Sequence, residues 1–350
     1  MTAGANIASV VIMLLVGNVD KLNPVDHPLL ASFGLGFPAL LLINVGFLIF
    51  FAFFKRIYIL IPLAGFLVCY PATRRYWPLN IGKETPAGSI KVLTYNAFNF
   101  NRQNQAENEP NPIIEYINGS DADIVCLQEA WLDAEVLAAT KDTYKYKDSV
   151  ANNQSGECLV LFSRFPIVGK ERIRYASHSN MSAAFKVLID RDTVTVINNH
   201  FETSGLSQAD RTGFKEMIKG NTDKDSMRAE SKRLLVKLGE SARKRAPQAE
   251  AVARYIKDCD GSIILCGDFN DNPLSYTHHV LENELTDCYV ATGNGPGISY
   301  HYNAIFVRID NIMCSSDWTP YNCKVDNSIG TSDHYPVYCW LKKQDKKRDK

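Results

Sequence analysis

Polar residues recur at the ends of apolar runs in this 350-residue chain. In "SIILCGDFND" the apolar Ile263, Ile264, Leu265 and Cys266 are followed at once by Asp268, Asn270 and Asp271. The run "SIKVLTYNAFNF" ends in Asn96, "DADIVCLQEAW" in Gln128 and Glu129, and "DTVTVINNHFET" in Asn198, Asn199 and His200. Asp310 is set into "AIFVRIDNIMCS", and "GTSDHYPVYCW" carries Asp333 and His334 just before a last apolar run. A turn or a helix cap explains any one such acid. Together they imply strand ends that converge on one face. Carboxylates and amide oxygens crowded there repel unless a cation sits among them. An oxygen-rich, thiol-free set suits a hard cation such as magnesium, not zinc. Histidines beside such a site can donate to a phosphoryl oxygen as charge develops on it.

The elements that must position these groups read as strands. The runs are β-rich or alternating and are bounded by turn residues. Helical patterns lie between them. "NPIIEYINGS" has Pro112 near its first turn and ends at Gly119. Residues 228–257 carry Leu234, Leu235 and Leu238, then Val252, Tyr255 and Ile256, at helical spacing; Pro247 predicts a break between the two halves. Gly267, lacking a Cβ, is read as leaving room for a substrate beside Asp268. The stretch "ETSGLSQADRTGFKEMIKGNTDKD" after His200 reads as an inserted loop and helix at the mouth of the site. "GESARKRAPQ" supplies Arg243, Lys244 and Arg245, which an exposed helical face explains as well as a nucleic-acid contact does.

A formal net charge of zero argues against bulk electrostatic capture of nucleic acid. Nine cysteines without a CxxC pair argue against zinc ribbons and a disulfide framework, and Cys126 and Cys266 read as buried thiols. The N-terminal residues differ from the rest. Positions 29–54 carry no charge, and about twenty such residues span a bilayer as a helix. Positions 3–19 form a shorter uncharged candidate, and 57–72 a third, interrupted by Pro62, with Tyr76 and Trp77 as interfacial anchors. The first basic residue is Lys21, so the basic start of a signal peptide is missing. The absence of charge inside these segments argues against a channel or transporter. Lys55 and Arg56 are expected in the cytoplasm, and three spans then put the C-terminal part on the extracytoplasmic side, the favoured reading. Two spans reverse the side, and Arg74 and Arg75 pull the same way. The chain thus divides into a membrane region (1–79, two or three spans), a linker (80–89), a soluble domain (90–341) and a charged tail (342–350).

The blocks "TYNAF", "LQEA", "NNHFE", "GDFND", "RIDNI" and "SDHYPV", in this order, resemble the signature of the endonuclease/exonuclease/phosphatase superfamily across 90–341. The membrane segments ahead of them resemble a membrane-anchored bacterial subgroup. The resemblance implies an α/β (α+β) fold, a four-layer α/β/β/α sandwich, and metal-dependent phosphoester hydrolysis with Mg2+ or Mn2+. It implies that Glu129, with Asn96 and Asp333, holds the metal. Asp268 then activates or positions the attacking water, and Asn270 holds a phosphate oxygen. His334, oriented by Asp310, stabilises negative charge, as does His200, a histidine of the deoxyribonuclease and sphingomyelinase branches. Arg245 and Gln248 match an Arg and Gln with a structural or site-edge role, which makes Arg245 a candidate substrate contact. The expected partners are a nucleic-acid or phospholipid phosphoester and the lipid bilayer, with no obligate protein partner. A catalytically silent, membrane-anchored binding module on the same fold is the alternative, and filled polar positions argue against it.

Overall fold

The β-rich runs become, among the residues described (1–105, 109–152, 156–177 and 179–344), two six-stranded sheets in the computed structural model. The strands are β1 (Ile90–Asn96), β2 (Ile124–Gln128), β3 (Tyr146–Asn152), β4 (Glu157–Ser163), β5 (Ile167–Ile173) and β6 (Met181–Ile189). They continue with β7 (Asp192–His200), β8 (Ile263–Asp268), β9 (Thr286–Asp287), β10 (Asp310–Cys314), β11 (Trp318–Val325) and β12 (Val337–Lys343). One sheet runs β11-β12-β1-β2-β4-β3 and the other β5-β6-β7-β8-β10-β9. The neighbours β1/β2 and β7/β8 are parallel. Register then brings the polar ends together: Asn96 faces Gln128, while His200 and Asp310 both face Asp268.

Alternation decides the layers. Val92, Ile124, Leu161, Phe185, Val196 and Ile264 fill the space between the sheets. The residues that alternate with them point outward, where helices cover them. Leu93, Val125 and Phe162 pack with Ile113 and Ile117 of α6 (Pro112–Gly119) and Val136 of α7 (Ala134–Ala139). Ile197 and Leu265 pack under Val252 and Ile256 of α9 (Lys224–Asp258) and Leu281 of α10 (Tyr276–Glu282). Each such side chain contributes about 1.5–3 kcal/mol by burial. The result is the four-layer sandwich. Helix α9 runs unbroken through Pro247, contrary to the expected break. Leu234 and Ala242 before it, and Ala249 and Val252 after it, are all buried, so packing holds both halves in one helix despite the missing hydrogen bond. Asn198 bridges the sheets: its Nδ2 donates to the carbonyls of Leu127 and Val160, and its Oδ1 accepts from Gln128 Nε2. All nine cysteines are free. The charged tail begins later than expected, because β12 reaches Lys343, and 345–350 lie outside the described residues.

Helix α1 (Thr2–Val16), the short α2 (Pro28–Ala31), α3 (Phe37–Phe54), α4 (Leu60–Val68) and α5 (Tyr70–Tyr76) precede the sandwich. Two helical stretches, Thr2–Lys21 and Pro28–Phe54, are long and apolar enough to cross a membrane, and the pair α4–α5, bent by 68°, makes a third if it acts as one span. The bend falls at Cys69 and not at Pro62, which sits in the first turn of α4, where no helical hydrogen bond is lost. Asn6 Nδ2 donates to Asn44 Oδ1 across α1 and α3 at 2.9 Å. A Cβ on Gly17 would stand 3.1 Å from Ala72 and 3.2 Å from the Phe37 ring. The end of α1, the start of α3 and the end of α5 therefore meet at one end of the bundle, and Lys55 lies at the other.

That end rests on the sandwich. A Cβ on Gly239 of α9 would meet the Pro28 carbonyl oxygen at 2.5 Å, and one on Gly34 the Leu274 oxygen at 2.6 Å. Arg75 pairs with the buried Asp20 at 2.6 Å and with Glu282 at 2.8 Å. Tyr76 Oη donates to the Gly34 carbonyl. The 80–89 linker is also pinned: Asn80 Nδ2 donates to the carbonyls of Val290 and Gly293, and Asn322 Nδ2 to the Lys83 carbonyl.

Candidate active site

Asp268 ends β8 almost fully buried. Its Oδ1 accepts from the backbone N–H of Asn270 at 2.7 Å, and its Oδ2 from Asn96 Nδ2 at 3.2 Å. The Nε2 atoms of His200 and His334 each lie 3.7 Å from the same Oδ2. Gly267 before it has φ +137°, and a Cβ there would fall 2.0 Å from the Asn199 carbonyl oxygen. The glycine is thus required by the neighbouring strand and not by substrate access, which corrects the sequence reading.

Each histidine is held from behind. His334 Nδ1 is 2.8 Å from Asp310 Oδ2, and His200 Nδ1 is 2.8 Å from Glu157 Oε1. A carboxylate on Nδ1 fixes the ring so that Nε2 points into the site. Ser332 ties the His334 loop to β1, donating from Oγ to the Asn96 carbonyl at 2.8 Å. Burial pulls the His200 pKa down, but Glu157, Asp268 and Glu129 outweigh it and raise it to about 10. His334 is likewise raised to about 10, burial being outweighed by Asp310, Asp268 and Asp333. Asp268 is pushed up to about 6, chiefly by burial, with Asp310 raising it and the two histidines opposing.

Glu129 follows β2 in a left-handed backbone conformation, φ +48°. For a residue with a Cβ this costs of order 1–3 kcal/mol, a strain common where a side chain is aimed at a site. Its Oε1 accepts from Asn96 Nδ2 at 3.1 Å. Asn96 therefore stands between the Glu129 and Asp268 carboxylates. Asp333 lines the same cavity of about 140 Å³. Oxygens of Asp268 and Asp310 and a nitrogen of His334 fall within 4.8 Å of one another, and Asp310 Oδ1 is buried without a hydrogen-bond partner. The carboxylates and the amide supply oxygen donors without a thiol, a set that fits a hard divalent cation.

Asn270 also lines the cavity, with its Nδ2 donating to the Phe201 carbonyl at 3.0 Å. Arg245 reaches the cavity wall but is buried. Its Nε pairs with Asp271 at 3.0 Å and a terminal nitrogen donates to the Glu202 carbonyl, so it braces the loops around the site. Three residues were missed in the sequence. Glu157 opens β4, whose antiparallel pairing with β2 carries its first residue just past the end of β2, near Ala130. A polar start on an apolar run is its signal. Arg211, on helix α8 (Gln208–Ile218), lines the cavity and donates to Tyr300 Oη at 2.6 Å; the Tyr300 ring stands 5.0 Å from that of His334.

Residues 93–334 match the model of the endonuclease/exonuclease/phosphatase family, and residues 1–76 match a domain of unknown function (DUF8431). The chain resembles D. rerio TDP2 complexed with a single-strand DNA product at 13% identity and TM-score 0.50, covering 73% of this chain and 99% of that one. It resembles an endonuclease/exonuclease/phosphatase from Beutenbergia cavernae at 18% identity and TM-score 0.50, covering 73% and 72%. Sphingomyelinase C from Streptomyces griseocarneus is similar at 18% identity and TM-score 0.48, covering 73% and 99%. No curated protein matches the chain.

Proposed function

The chain belongs to the endonuclease/exonuclease/phosphatase family, and from that premise we propose that it is a membrane-anchored, divalent-metal-dependent phosphoester hydrolase. The observation that carries the reading is the convergence of two carboxylate-backed imidazoles on the buried Asp268.

Glu129 and Asn96, with Asp333, would hold magnesium or manganese. When bound, such an ion offsets charge on a non-bridging oxygen or on the leaving group. Asp268 orients the attacking water and takes its proton; a carboxylate fixed at a strand end holds that water in line with the scissile bond. Asn270 fixes a phosphate oxygen. His200 and His334 donate from Nε2 to phosphoryl oxygens as negative charge grows on them. Asp310 and Glu157 keep the two rings in the donating orientation. Arg211 adds a positive charge at the mouth.

The bundle supports the anchoring. Three crossings put Lys55 and Arg56 on the face away from the sandwich, and Arg75, near the sandwich, is neutralised by Asp20 and Glu282. The positive-inside rule then favours an extracytoplasmic catalytic domain.

The test is hydrolysis of an aryl phosphodiester by the full chain in detergent, with magnesium and then with chelator. Asp268→Ala and His334→Ala are each expected to lower the rate by roughly 10²–10⁴-fold with the fold intact. Near-normal turnover in either variant, or turnover indifferent to chelator, sinks the proposal.

A further inference from the structure

The catalytic cavity lies against the membrane segments. Ala31, Ser32 and Leu35, which lead into α3, form part of its wall. Ser32, Leu35, Leu206, Leu238, Ile305 and Val307 line both this cavity and a second hollow of about 790 Å³. The second hollow is apolar. Pro38, Ala39 and Leu40 of α3 form one wall, and Phe214 and Met217 of α8 with Leu235 of α9 form the other. Its volume lies in the range of roughly 300–1,000 Å³ typical of sites that enclose an organic ligand. Phe33 is 42% exposed, and Phe306, also in the wall, 62%. The two hollows therefore adjoin, the apolar one beside the first turn of α3 and the polar one at Asp268.

Taken together, the adjoining hollows offer a polar end that suits a phosphate and an apolar end that suits a hydrocarbon. Nucleic acid fits it poorly, because its charged backbone would have to run along leucine and phenylalanine. The basic run that could have tracked a backbone is already engaged, Arg243 with Glu240, Lys244 with Glu202 and Arg245 with Asp271. Ala31, Ser32 and Leu35 also wall this side of the site, where a long strand would need an exit. A lipid brings both parts. Its chain gains little by leaving one apolar phase for another, so the groove's role is to avoid the cost of exposing that chain while the phosphate rises to the site.

We propose that the substrate is a membrane lipid phosphoester, with an acyl chain in the groove and its phosphate at Asp268, His200 and His334; this rests on the hydrolase reading above. The water oxygen bonds to phosphorus and the bond from phosphorus to one ester oxygen breaks. That oxygen leaves as an alcohol carrying a proton from the water, and a phosphate monoester remains when the substrate is a diester.

The test uses the full chain in vesicles of phosphatidylethanolamine and phosphatidylglycerol with magnesium. Hydrolysis of the vesicle lipids, single-stranded DNA, RNA and an aryl phosphodiester is measured for the native chain, Leu235→Trp and Phe306→Asp. A phosphatidylglycerol with a photoactivatable diazirine in its acyl chain is cross-linked in parallel, and labelled residues are mapped by mass spectrometry. The expected result is lipid hydrolysis, labelling of Leu235, Phe306 or their groove neighbours, and at least a tenfold fall in the ratio of lipid to aryl-diester turnover in both variants. Turnover of the aryl diester without lipid hydrolysis, or without groove labelling, overturns the lipid assignment and leaves the hydrolase reading standing. Preferred cleavage of DNA or RNA overturns it in favour of a nuclease. No turnover of any phosphoester overturns both the hydrolase reading and the substrate assignment, and groove labelling in that case marks a lipid-binding site only.

Discussion

His200 and Glu157 form a pair at 2.8 Å in which both side chains are nearly buried, with the imidazole held from its Nδ1 side. The pair mirrors that of His334 and Asp310 across Asp268. Glu157→Gln keeps the size of the side chain but removes the charge that orients the ring. A fall in kcat of roughly 10–100-fold with KM little changed is expected. The check is steady-state kinetics beside Glu157→Asp, which should recover part of the loss; equal losses in both variants would contradict an orienting charge.

Removing a metal ligand should be visible without turnover. Magnesium at about 100 times its Kd is expected to stabilise the folded chain by about 2.7 kcal/mol. Glu129→Gln should weaken magnesium binding by at least roughly tenfold and shrink that stabilisation. Calorimetric titration and thermal melts with and without magnesium read both effects, and an unchanged affinity in the variant removes Glu129 from the ligand set.

The chelated protein should lose stability as pH rises. Both histidines titrate near 10 in the fold against an ordinary 6.5. A folded pKa above the unfolded one gives stabilisation that is fully present below pH 6.5 and is lost as pH rises through about 10. Asp268 acts in the same direction at lower pH, its contribution being lost between 3.8 and about 6. Melting midpoints of the full chain in detergent with chelator should therefore fall across the alkaline window, and His200→Gln should flatten the fall. A midpoint that holds steady from 6.5 to 10 would refute the assignment.

Gly267→Ala tests the strand contact. Its Cβ would lie 2.0 Å from one Asn199 backbone atom and 2.7 Å from another, at a φ that side chains rarely adopt. A loss of at least about 2 kcal/mol is expected from overpacking and backbone strain together. Urea unfolding reads it directly, and a near-neutral change would restore the substrate-access role.

Arg75→Ala should loosen the docked end of the N-terminal helices. It leaves the carboxylate of Asp20, 1% exposed, without its closest cation. Removing one partner of a buried pair costs roughly 3–5 kcal/mol. Limited proteolysis should cut residues 77–89 faster in the variant than in the native chain.

The sandwich and much of the candidate site were legible because each relevant residue ends, or closely follows, an apolar run. Asp268, His200 and Asp310 could be picked out singly, and register then made them neighbours. Glu157 was not legible in that way, since an antiparallel strand brings its beginning to the site. Arg211 comes from helix α8, whose placement depends on packing against α9, which no local pattern encodes. The break expected at Pro247 failed because local propensity is weaker than burial on both sides of it. The contacts of the 80–89 linker were not legible, because its polar composition carries no trace of the carbonyls that Asn80 reaches.

The Gly239–Pro28 contact has a kinetic consequence. With the backbones this close, the catalytic domain sits directly on the N-terminal helices and not at the end of a free tether. For a chain embedded as proposed and acting on the proposed lipid substrate, encounter becomes a search in two dimensions within a single leaflet. The quantity that saturates such an enzyme is the mole fraction of substrate in that leaflet, and diluting the whole suspension leaves the rate per molecule unchanged.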